Sequence, residues 1–365
     1  MGPMADLSPR IFYVPNEFGG FRQLGFRDPL ESLVRAGQVA ELATFSVLDA
    51  IRNGGAAEAH RKELVRRVTD FQPDILLMQH LGHTGLRRQH FASLRQACPR
   101  DFIYHEADPY SRYLHPIPPE ARAAARVADV VFTVGSGVFS DNFRRAGSTN
   151  VRWIPSAYEP TRTSNFDRPV RQDRPYDVVI VANRNRPRFR GLPDWRERIR
   201  FVELMQQHFG ERLAVYGRGW DGPTAKGPVP FEAQDEAITS GWVSANWDHF
   251  ASEASYFSNR LPISLAAGSI HATTDHPGYD QLFPAHTGRF LVRGRTPEAL
   301  IGSIERVLAD TTTNDRLEAI TAGREFAAKH FRQDDLMVQM LNWRTRWIDP
   351  ADARSVWAGE RGGRE

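Results

Sequence analysis

Pro155-Ser156-Ala157-Tyr158-Glu159-Pro160 is the stretch that divides this sequence, and a polar segment rich in arginine and proline follows it up to Pro175. Proline interrupts helices and strands, so we expect a domain boundary here. On each side of the stretch, short apolar runs alternate with helix-like segments, which is typical of α/β proteins with parallel sheets. We therefore predict domains at 1–160 and 161–345, and a polar, frayed tail at 346–365.

The first half contains six apolar runs of strand length, with helix-like segments between them. The predicted strands are Ile11–Pro15, Ala43–Leu48, Ile75–Gln79, Phe102–His105, Val130–Val134 and Val151–Ile154. The predicted helices include Ala57–Thr69 and Pro119–Ala128. This order indicates one complete α/β unit before the boundary.

The same pattern begins again after Pro175. The predicted strands are Asp177–Val181, Leu213–Tyr216, Ile270–Thr274 and Arg289–Val292. The predicted helices are Trp195–His208, Pro297–Ala309 and a long helix from Asn314 to about Trp347. Two α/β units in series suit a ligand bound in a cleft between them, at the carboxyl ends of both sheets.

The composition is ordinary for a globular protein, with 41% hydrophobic and 25% charged residues. Among the basic residues only Lys62, Lys226 and Lys329 are lysines, and arginine forms bidentate contacts with phosphate. The net charge of +3 is too small and too dispersed to indicate a nucleic-acid partner. The single Cys98 excludes an internal disulfide. No apolar run reaches the ~18 residues of a membrane span, and no signal segment is apparent, so we expect a cytoplasmic protein.

Two segments of the first half place polar or flexible residues directly after a strand. Gly19 and Gly20 follow the first strand, where they either let the backbone approach a phosphate or form a flexible turn. His105 lies at the end of the fourth predicted strand, and Glu106 and Asp108 follow it, where α/β proteins bind ligands. An Asp that caps a helix and a solvated Glu would give the same pattern.

The second half has basic loops after two of its strands. Asn183 begins a loop that contains Arg184, Arg186, Arg188 and Arg190, which either offset a diphosphate or form a solvated basic surface.

The next strand ends in a second loop with a glycine on each side of an arginine. Gly217 and Gly219 allow a tight turn that presents Arg218 to phosphate and Trp220 to a base or a sugar.

A third group surrounds the strand Ile270–Thr274. Arg260 begins a helix of small, apolar residues whose N-terminus would suit a phosphate. Tight packing of helix against sheet explains the small residues equally well. It does not explain Arg260, or the polar loop after the strand, which contains Asp275, Gly278, Tyr279 and Asp280.

Taken together, these segments resemble the CgeB-like spore-maturation glycosyltransferases, a group close to the family-four retaining glycosyltransferases. The resemblance extends from about Pro73 to Phe331. The matching segments are, in order, His105–Arg112, Ala128–Thr133, Phe143–Gly147, Trp153–Ala157, Val215–Trp220, Arg260–Gly268, Asp275–Phe283, Ala322–Arg324 and His330–Phe331. Each motif is loose by itself, and their order and spacing make the match specific.

The resemblance implies a GT-B fold, in which two Rossmann-like domains face each other across a cleft. It implies a nucleoside diphosphate sugar as co-substrate on the second domain and an acceptor of unknown kind on the first. It also implies transfer with retention, no metal and no other cofactor. The implied catalytic residues are His105, Glu106 and Asp108, and the implied donor-binding residues are Gly19, Gly20, Asn183, Arg184, Arg190, Gly217, Arg218, Gly219, Trp220, Arg260, Asp275, Gly278, Tyr279 and Asp280.

Individual roles follow from the same resemblance. Arg184, Arg190 and Arg218 would stabilise the leaving diphosphate. His105 would contact the transferred sugar, and Asp108 would orient or deprotonate the acceptor hydroxyl.

The sequence departs from the family at one position. The family has a donor-binding glutamate in the helix that begins at Arg260, and this chain has Ile263 there, beside Ser264. Either Asp280 contacts the ribose instead, or the donor is unusual, or activity is lost. The alternatives to a retaining transferase are therefore a non-catalytic nucleotide- or sugar-binding relative, an inverting transferase and a sugar-phosphate epimerase.

Overall fold

The computed structural model describes residues 8–110, 115–163, 169–185, 191–345 and 350–358. Its contacts divide the chain into two units, one made of Met1–Ile154 and Gln333–Trp347 and one made of Pro155–Arg332 and Ile348–Glu365. The chain passes from the first unit to the second after Ile154, at the start of the predicted boundary stretch. It returns to the first unit at Gln333, which differs from the prediction that one domain extends over 161–345.

The first unit contains a six-stranded parallel sheet in the order β2-β1-β3-β4-β5-β6. The strands are β1 (Arg10–Val14), β2 (Glu41–Thr44), β3 (Ile75–Gln79), β4 (Asp101–Glu106), β5 (Val130–Thr133) and β6 (Val151–Trp153). The central strands are apolar and buried on both faces, as parallel strands between layers of helices are. All six strands therefore end at one edge, where the loops that carry polar side chains lie.

The helices of this unit connect successive strands. They are α1 (Leu24–Arg35), α2 (Val47–Arg52), α3 (Ala57–Phe71), α4 (Arg88–Ala97), α5 (Pro119–Ala125) and α6 (Val138–Ala146). The predicted strand Ala43–Leu48 was too long, because Ser46 caps α2 and its hydroxyl accepts a hydrogen bond from Asp49 N–H at 3.2 Å. The apolar pair Val47 and Leu48 therefore starts a helix.

The second unit contains a parallel sheet of six strands in the order β12-β11-β10-β7-β8-β9. The strands are β7 (Tyr176–Val181), β8 (Leu213–Tyr216), β9 (Ala225–Gly227), β10 (Gly241–Ala245), β11 (Ile270–Thr274) and β12 (Leu291–Gly294). Strand β9 and the central, buried strand β10 were not predicted from the sequence, because Gly241 and Ser244 weaken the strand pattern of β10. The glycine is needed for packing, because a Cβ on Gly241 would lie 2.7 Å from Val179 Cγ1.

Eight further helices complete the described part of the chain. They are α7 (Trp195–Phe209), α8 (Gln234–Thr239), α9 (Arg260–Ala267), α10 (Tyr279–Leu282), α11 (Pro297–Asp310), α12 (Thr313–His330), α13 (Gln333–Leu341) and α14 (Pro350–Ala358). Helix α13 packs against α1 in the first unit, and α14 packs against α10 in the second.

The C-terminal region differs from its prediction in two ways. The long helix predicted from Asn314 is broken at Phe331 and Arg332, where the Phe331 carbonyl accepts a hydrogen bond of 3.0 Å from Tyr158 N–H. Part of the predicted tail forms α14, and its Trp357 is 3% exposed because the ring packs on Phe331 at 5.2 Å. Buried aromatic contacts therefore order a segment whose sequence is polar.

No helix in the described ranges combines the length and the apolarity that crossing a membrane requires.

Candidate functional site

The loop after β1 carries Gly19 and Gly20. Their φ angles are +57° and +81°, and among the described residues nothing lies within 4 Å of the position that a Cβ would take. Buried Glu17 holds this loop, because its carboxylate accepts two hydrogen bonds of 2.6 Å from Arg27. The Gly19 N–H donates to Asp49 Oδ1 at 3.0 Å, so this amide already has an anionic partner within the unit.

His105 lies near the end of β4 and is 7% exposed. Its ring packs against Phe26, with 5.2 Å between ring centroids, and its buried Nδ1 has no hydrogen-bond partner among the described residues. Burial lowers the pKa of His105 to about 4. The ring is therefore neutral at pH 7, with one nitrogen able to donate and the other able to accept.

Glu106, the last residue of β4, is fully buried and fully hydrogen-bonded. Tyr104 Oη and Tyr110 Oη donate to its Oε2 at 2.6 and 3.0 Å, and Asp108 N–H and His80 Nδ1–H donate to its Oε1 at 3.2 and 2.5 Å. Burial opposes ionisation, but the charge and hydrogen bond of His80 outweigh it and lower the pKa of Glu106. The alternative of a solvated Glu106 is therefore wrong.

His80 is a site residue that the sequence analysis missed. It follows β3 directly, with a φ angle of +39°, a conformation that is uncommon outside glycine and costs ~1–3 kcal/mol. Its N–H donates to the carbonyl of His105 at 3.0 Å, which joins the ends of β3 and β4. Burial disfavours its charged form, but the Glu106 carboxylate outweighs burial and raises the pKa of His80 to about 9.

Asp108 lies beyond the end of β4, with 65% of its side chain exposed, and its Oδ2 is 3.7 Å from His80 Nε2. The protein around it and the charge of Glu106 raise the pKa of Asp108, although solvent screens this effect at an exposed carboxylate. Asp108 is therefore the exposed acid of this group, and Glu106 is the buried one.

In the second unit, the loops after β7 and β8 are joined to each other. Arg218 N–H donates to Asn183 Oδ1, and Arg184 N–H donates to the Arg218 carbonyl, both at 2.9 Å. The Arg184 side chain is paired with Glu203 and lies 3.5 Å from Asp221. The Arg218 side chain is exposed and has no side-chain partner in the described ranges. Of these two arginines, Arg218 is the one that is available to an incoming anion.

Gly217, Gly219 and Trp220 shape the loop after β8. Gly217 and Gly219 have φ angles of +142° and +82°. The Trp220 ring is 7% exposed and its indole N–H donates to the Ala182 carbonyl at 2.6 Å. Trp220 therefore supports the loop from inside and presents little ring surface to a base or a sugar.

A cavity of about 150 Å³ lies at the N-terminus of α9. Its lining includes Ser244, Asn246, Asn259, Arg260 and Ile263. Arg260 Nε donates to the Val181 carbonyl at 3.1 Å, and the two Nη groups have no partner among the described residues. The cavity therefore offers a cationic group beside polar side chains, and the position at which the family has glutamate is apolar.

A buried polar network that the sequence analysis missed supports this cavity. Arg198 Nη2 donates to Asn246 Oδ1, and Asn246 Nδ2 donates to Asp248 Oδ1 at 2.5 Å. Asp248 Oδ2 also accepts a hydrogen bond of 3.0 Å from His276 Nε2. Burial opposes ionisation of Asp248, but the His276 hydrogen bond and the Arg198 charge outweigh it and lower the pKa of Asp248. The carboxylate of Asp248 therefore fixes the orientation of Asn246, which lines the cavity.

Several buried hydrogen-bonding groups around this network have no partner among the described residues. Burial, and then the nearby charge of Arg260, lower the pKa of Arg198 to about 9, and its buried Nε has no partner among the described residues. Both nitrogens of buried His249 are also without partners there, and burial together with the two arginines lowers the pKa of His249 to about 3. An anion beside Arg198 would offset its charge and accept a hydrogen bond from its Nε.

The loop after β11 carries the remaining candidates. Asp275 and Asp280 both pair with Arg293, at 3.4 and 2.8 Å. Gly278, with a φ angle of +85°, precedes α10, and Tyr279 is 1% exposed. None of these four residues lines the cavity at α9. These four residues therefore lie outside the cavity that Arg260 lines. The contact of Asp280 with the ribose stays a prediction.

The candidates thus lie at two places in the first unit, the loop after β1 and the end of β4. In the second unit they lie at three places, the joined loops after β7 and β8, the cavity at α9 and the loop after β11. Arg190 lies outside the described residues, as do Arg186 and Arg188. His80 directly follows the buried strand β3, so the rule that drew attention to the end of β4 would also have found it. Asn246 and Asp248 follow β10, which was not predicted, so no sequence signal pointed to them.

Among the described residues, no group of three or more His, Cys, Asp or Glu side chains could hold a metal ion. Metal independence itself stays a prediction.

Known proteins match this chain in structure but not in sequence. No protein-family model matches the chain. No curated protein matches it either.

Several solved structures share its fold. Sucrose-phosphate synthase from Thermosynechococcus elongatus superposes with a TM-score of 0.58 at 15% identity, over 92% of this chain and 98% of that one. HepE from Anabaena, in complex with UDP and glucose, gives 0.55 at 12% identity, over 92% and 99%. A UDP-forming α,α-trehalose-phosphate synthase from Burkholderia xenovorans gives 0.54 at 13% identity, over 92% and 99%.

These neighbours and the two parallel sheets confirm the predicted fold class, a two-domain α/β protein of the GT-B type with Rossmann-like units. At such low identity the likeness establishes the fold alone.

Proposed function

We propose that this protein is a glycosyltransferase that moves a sugar from a nucleoside diphosphate sugar to a hydroxyl or amine of an acceptor. The observation that carries the proposal is the cationic cavity at α9. Arg260 lines it, and its two Nη groups have no partner among the described residues. Arg198, whose buried Nε also has no described partner, donates to the lining residue Asn246. A diphosphate supplies the negative charge and the acceptor oxygens that this arrangement lacks.

We propose that the nucleotide of the donor binds to the second unit. Exposed Arg218 adds a second cation at the carboxyl edge of the sheet. HepE binds UDP and glucose, and the trehalose-phosphate synthase forms UDP. UDP-glucose is therefore the first donor to test, and a hexose is the proposed sugar. The acceptor would bind the first unit, around Asp108 and His105. A CgeB-like relationship and a cytoplasmic location belong to the same proposal.

Transfer without a metal is part of the proposal, because arginine side chains and the N-terminus of α9 can offset the charge of the leaving diphosphate. Retention is the stereochemical course that the resemblance favours. Inversion is the second candidate, and the observation that favours it is the His80–Glu106 pair. An imidazole held by a buried carboxylate is suited to remove a proton from an attacking hydroxyl.

Binding is tested first, by thermal unfolding of the full chain with UDP, GDP, ADP, TDP and CDP. A nucleotide at a hundredfold excess over its Kd stabilises the folded state by ~2.7 kcal/mol. We expect one base to raise Tm clearly. Failure of all five nucleotides would overturn the proposed donor site.

Arg260→Met tests the cavity. Loss of charge-assisted hydrogen bonds of ~1.5–3 kcal/mol should weaken nucleotide binding about 10- to 100-fold. The matched control is Arg306→Met on the exposed face of α11, which should bind nucleotide as the wild type does. Equal Kd values for the two variants would remove Arg260 from the site.

Turnover is then measured as release of nucleoside diphosphate from UDP-, GDP-, ADP-, TDP- and CDP-glucose. Binding without any release would favour the non-catalytic alternative. The anomeric proton of the released or transferred glucose, followed by NMR, distinguishes retention from inversion.

A further inference from the structure

In the His80–Glu106 pair, one ring nitrogen of His80 forms a hydrogen bond to a described residue and the other does not. His80 Nδ1–H donates to Glu106 Oε1 at 2.5 Å, which fixes the orientation of the ring. His80 Nε2 forms no hydrogen bond to any residue that the structure describes, its nearest acid being Asp108 at 3.7 Å. The side chain is 21% exposed, so this free nitrogen is on the accessible edge of the ring.

Two features of the arrangement, a buried carboxylate and a strained backbone, each cost free energy of folding, which a purely structural histidine would not require. The carboxylate of Glu106 is fully buried, and two tyrosine hydroxyls, Tyr104 and Tyr110, keep its second oxygen occupied. The backbone of His80 is held in the left-handed region, where the strain costs ~1–3 kcal/mol. The buried carboxylate and the strained backbone together fix the ring of His80 so that Nε2 stays accessible. Backbone strain of this kind is found mainly at functional sites.

We propose that His80 is the catalytic base that activates the acceptor, and this inference rests on the proposed glycosyl transfer. His80 Nε2 takes the proton of the acceptor hydroxyl while the hydroxyl oxygen forms its bond to the anomeric carbon. The bond from that carbon to the diphosphate breaks, and its electron pair leaves with the diphosphate. The imidazolium then releases the proton to solvent. Glu106 is a positioning residue, because it acts through His80.

This assignment favours inversion. In a retaining transfer the acceptor and the leaving group share one face of the sugar, so the diphosphate itself can take the proton. A separate base is needed when the acceptor attacks from the opposite face and the diphosphate is out of reach.

The charged and titratable neighbours of His80 set its response to pH. They are Glu106, Tyr104, His105, Asp108, Tyr110 and His115. Burial lowers the pKa of His80, but the charge and hydrogen bond of Glu106 outweigh burial and raise it to about 9. The base form therefore grows as pH rises toward 9, so turnover should rise over the same range.

The test is His80→Asn, with His83→Asn as the matched control. Both histidines have positive φ angles in one loop, +39° and +66°, and asparagine tolerates that conformation. His83 is exposed and has no part in the site. With the five nucleotide glucoses as donors and water as acceptor, we expect His80→Asn to lower kcat by about 10²–10⁴-fold. Its donor KM should stay at the wild-type value, and the rise of kcat with pH should be lost. His83→Asn should keep the wild-type profile.

Glu106→Gln keeps the volume of the side chain and removes its charge. In ¹⁵N-histidine NMR of the substrate-free chain, one ring should titrate with a pKa of about 9, disappear in His80→Asn and persist in His83→Asn. Glu106→Gln should move both this titration and the inflection of kcat to lower pH. A purely structural pair would not link the two shifts.

The outcomes separate the two proposals. If the wild type releases no nucleoside diphosphate from any donor, the glycosyltransferase proposal fails and this inference fails with it. If the wild type is active and His80→Asn keeps its kcat and pH profile, or if the product is the retained anomer, His80 is not the base and the transferase proposal stands.

Discussion

Gly217 lies against Ala182 so closely that a Cβ on Gly217 would be 2.0 Å from the Ala182 carbonyl oxygen. The same oxygen accepts the indole hydrogen bond of Trp220 at 2.6 Å. One carbonyl of the loop after β7 therefore fixes the loop after β8, and with it the exposed Arg218. The position of this arginine depends on a glycine that only tertiary packing explains.

Gly217→Ala should destabilise the protein, because the new methyl group meets backbone that cannot move aside. Overpacking and a strained φ together should cost about 2–4 kcal/mol in the free energy of unfolding, measured in urea. Gly222→Ala is the control, since Gly222 also has a positive φ of +91° but has nothing within 4 Å of its Cβ position among the described residues. It should cost about 1 kcal/mol. Equal losses would contradict the contact with Ala182.

Asp248→Asn should change the acid stability of the protein. The pKa of Asp248 is lowered in the folded state, since the His276 hydrogen bond and the Arg198 charge outweigh burial. Its ionisation therefore stabilises the fold above the unfolded pKa of ~3.9, and this contribution is lost as pH falls through the lower folded pKa.

The variant should lose about 1–3 kcal/mol at pH 7, and its stability should vary less than that of the wild type below pH 4. Urea unfolding at several pH values measures both effects. Asp310→Asn, an exposed change at the end of α11, serves as the control. A variant as stable as the wild type at pH 7 would show that the network contributes nothing to the fold.

His105→Ala should lower turnover more than nucleotide affinity. The ring is neutral at pH 7 because burial lowers its pKa to about 4, and it belongs to the first unit, whereas the proposed nucleotide cavity belongs to the second. The Kd for the nucleotide, from thermal shifts, should stay within about threefold, while release of nucleoside diphosphate should fall at least about tenfold. His83→Ala provides the comparison. A large loss of nucleotide affinity in His105→Ala would assign the ring to the donor site instead.

The candidate site was predictable where one local rule applied. A search for polar residues at or just after the carboxyl ends of buried strands led to His105, Glu106 and Arg218, and the same rule covers His80. The rule failed after β10, because Gly241 weakens the strand pattern and the strand was not predicted. Asn246 and Asp248, which follow β10, were therefore not identified. The rule does not indicate which arginines are already paired. Arg184 has acidic partners, whereas the Arg218 side chain has none among the described residues.

The sequence by itself determined the α/β class, most of the strands and the edge at which polar side chains gather, because these follow from apolar periodicity over a few residues. Only the tertiary structure decided the strand orders, the return of α13 to the first unit and the pairing of His80 with Glu106, which lie 26 positions apart. Strand pairing, burial and ion pairing depend on which distant segments meet, and local sequence patterns do not contain that information.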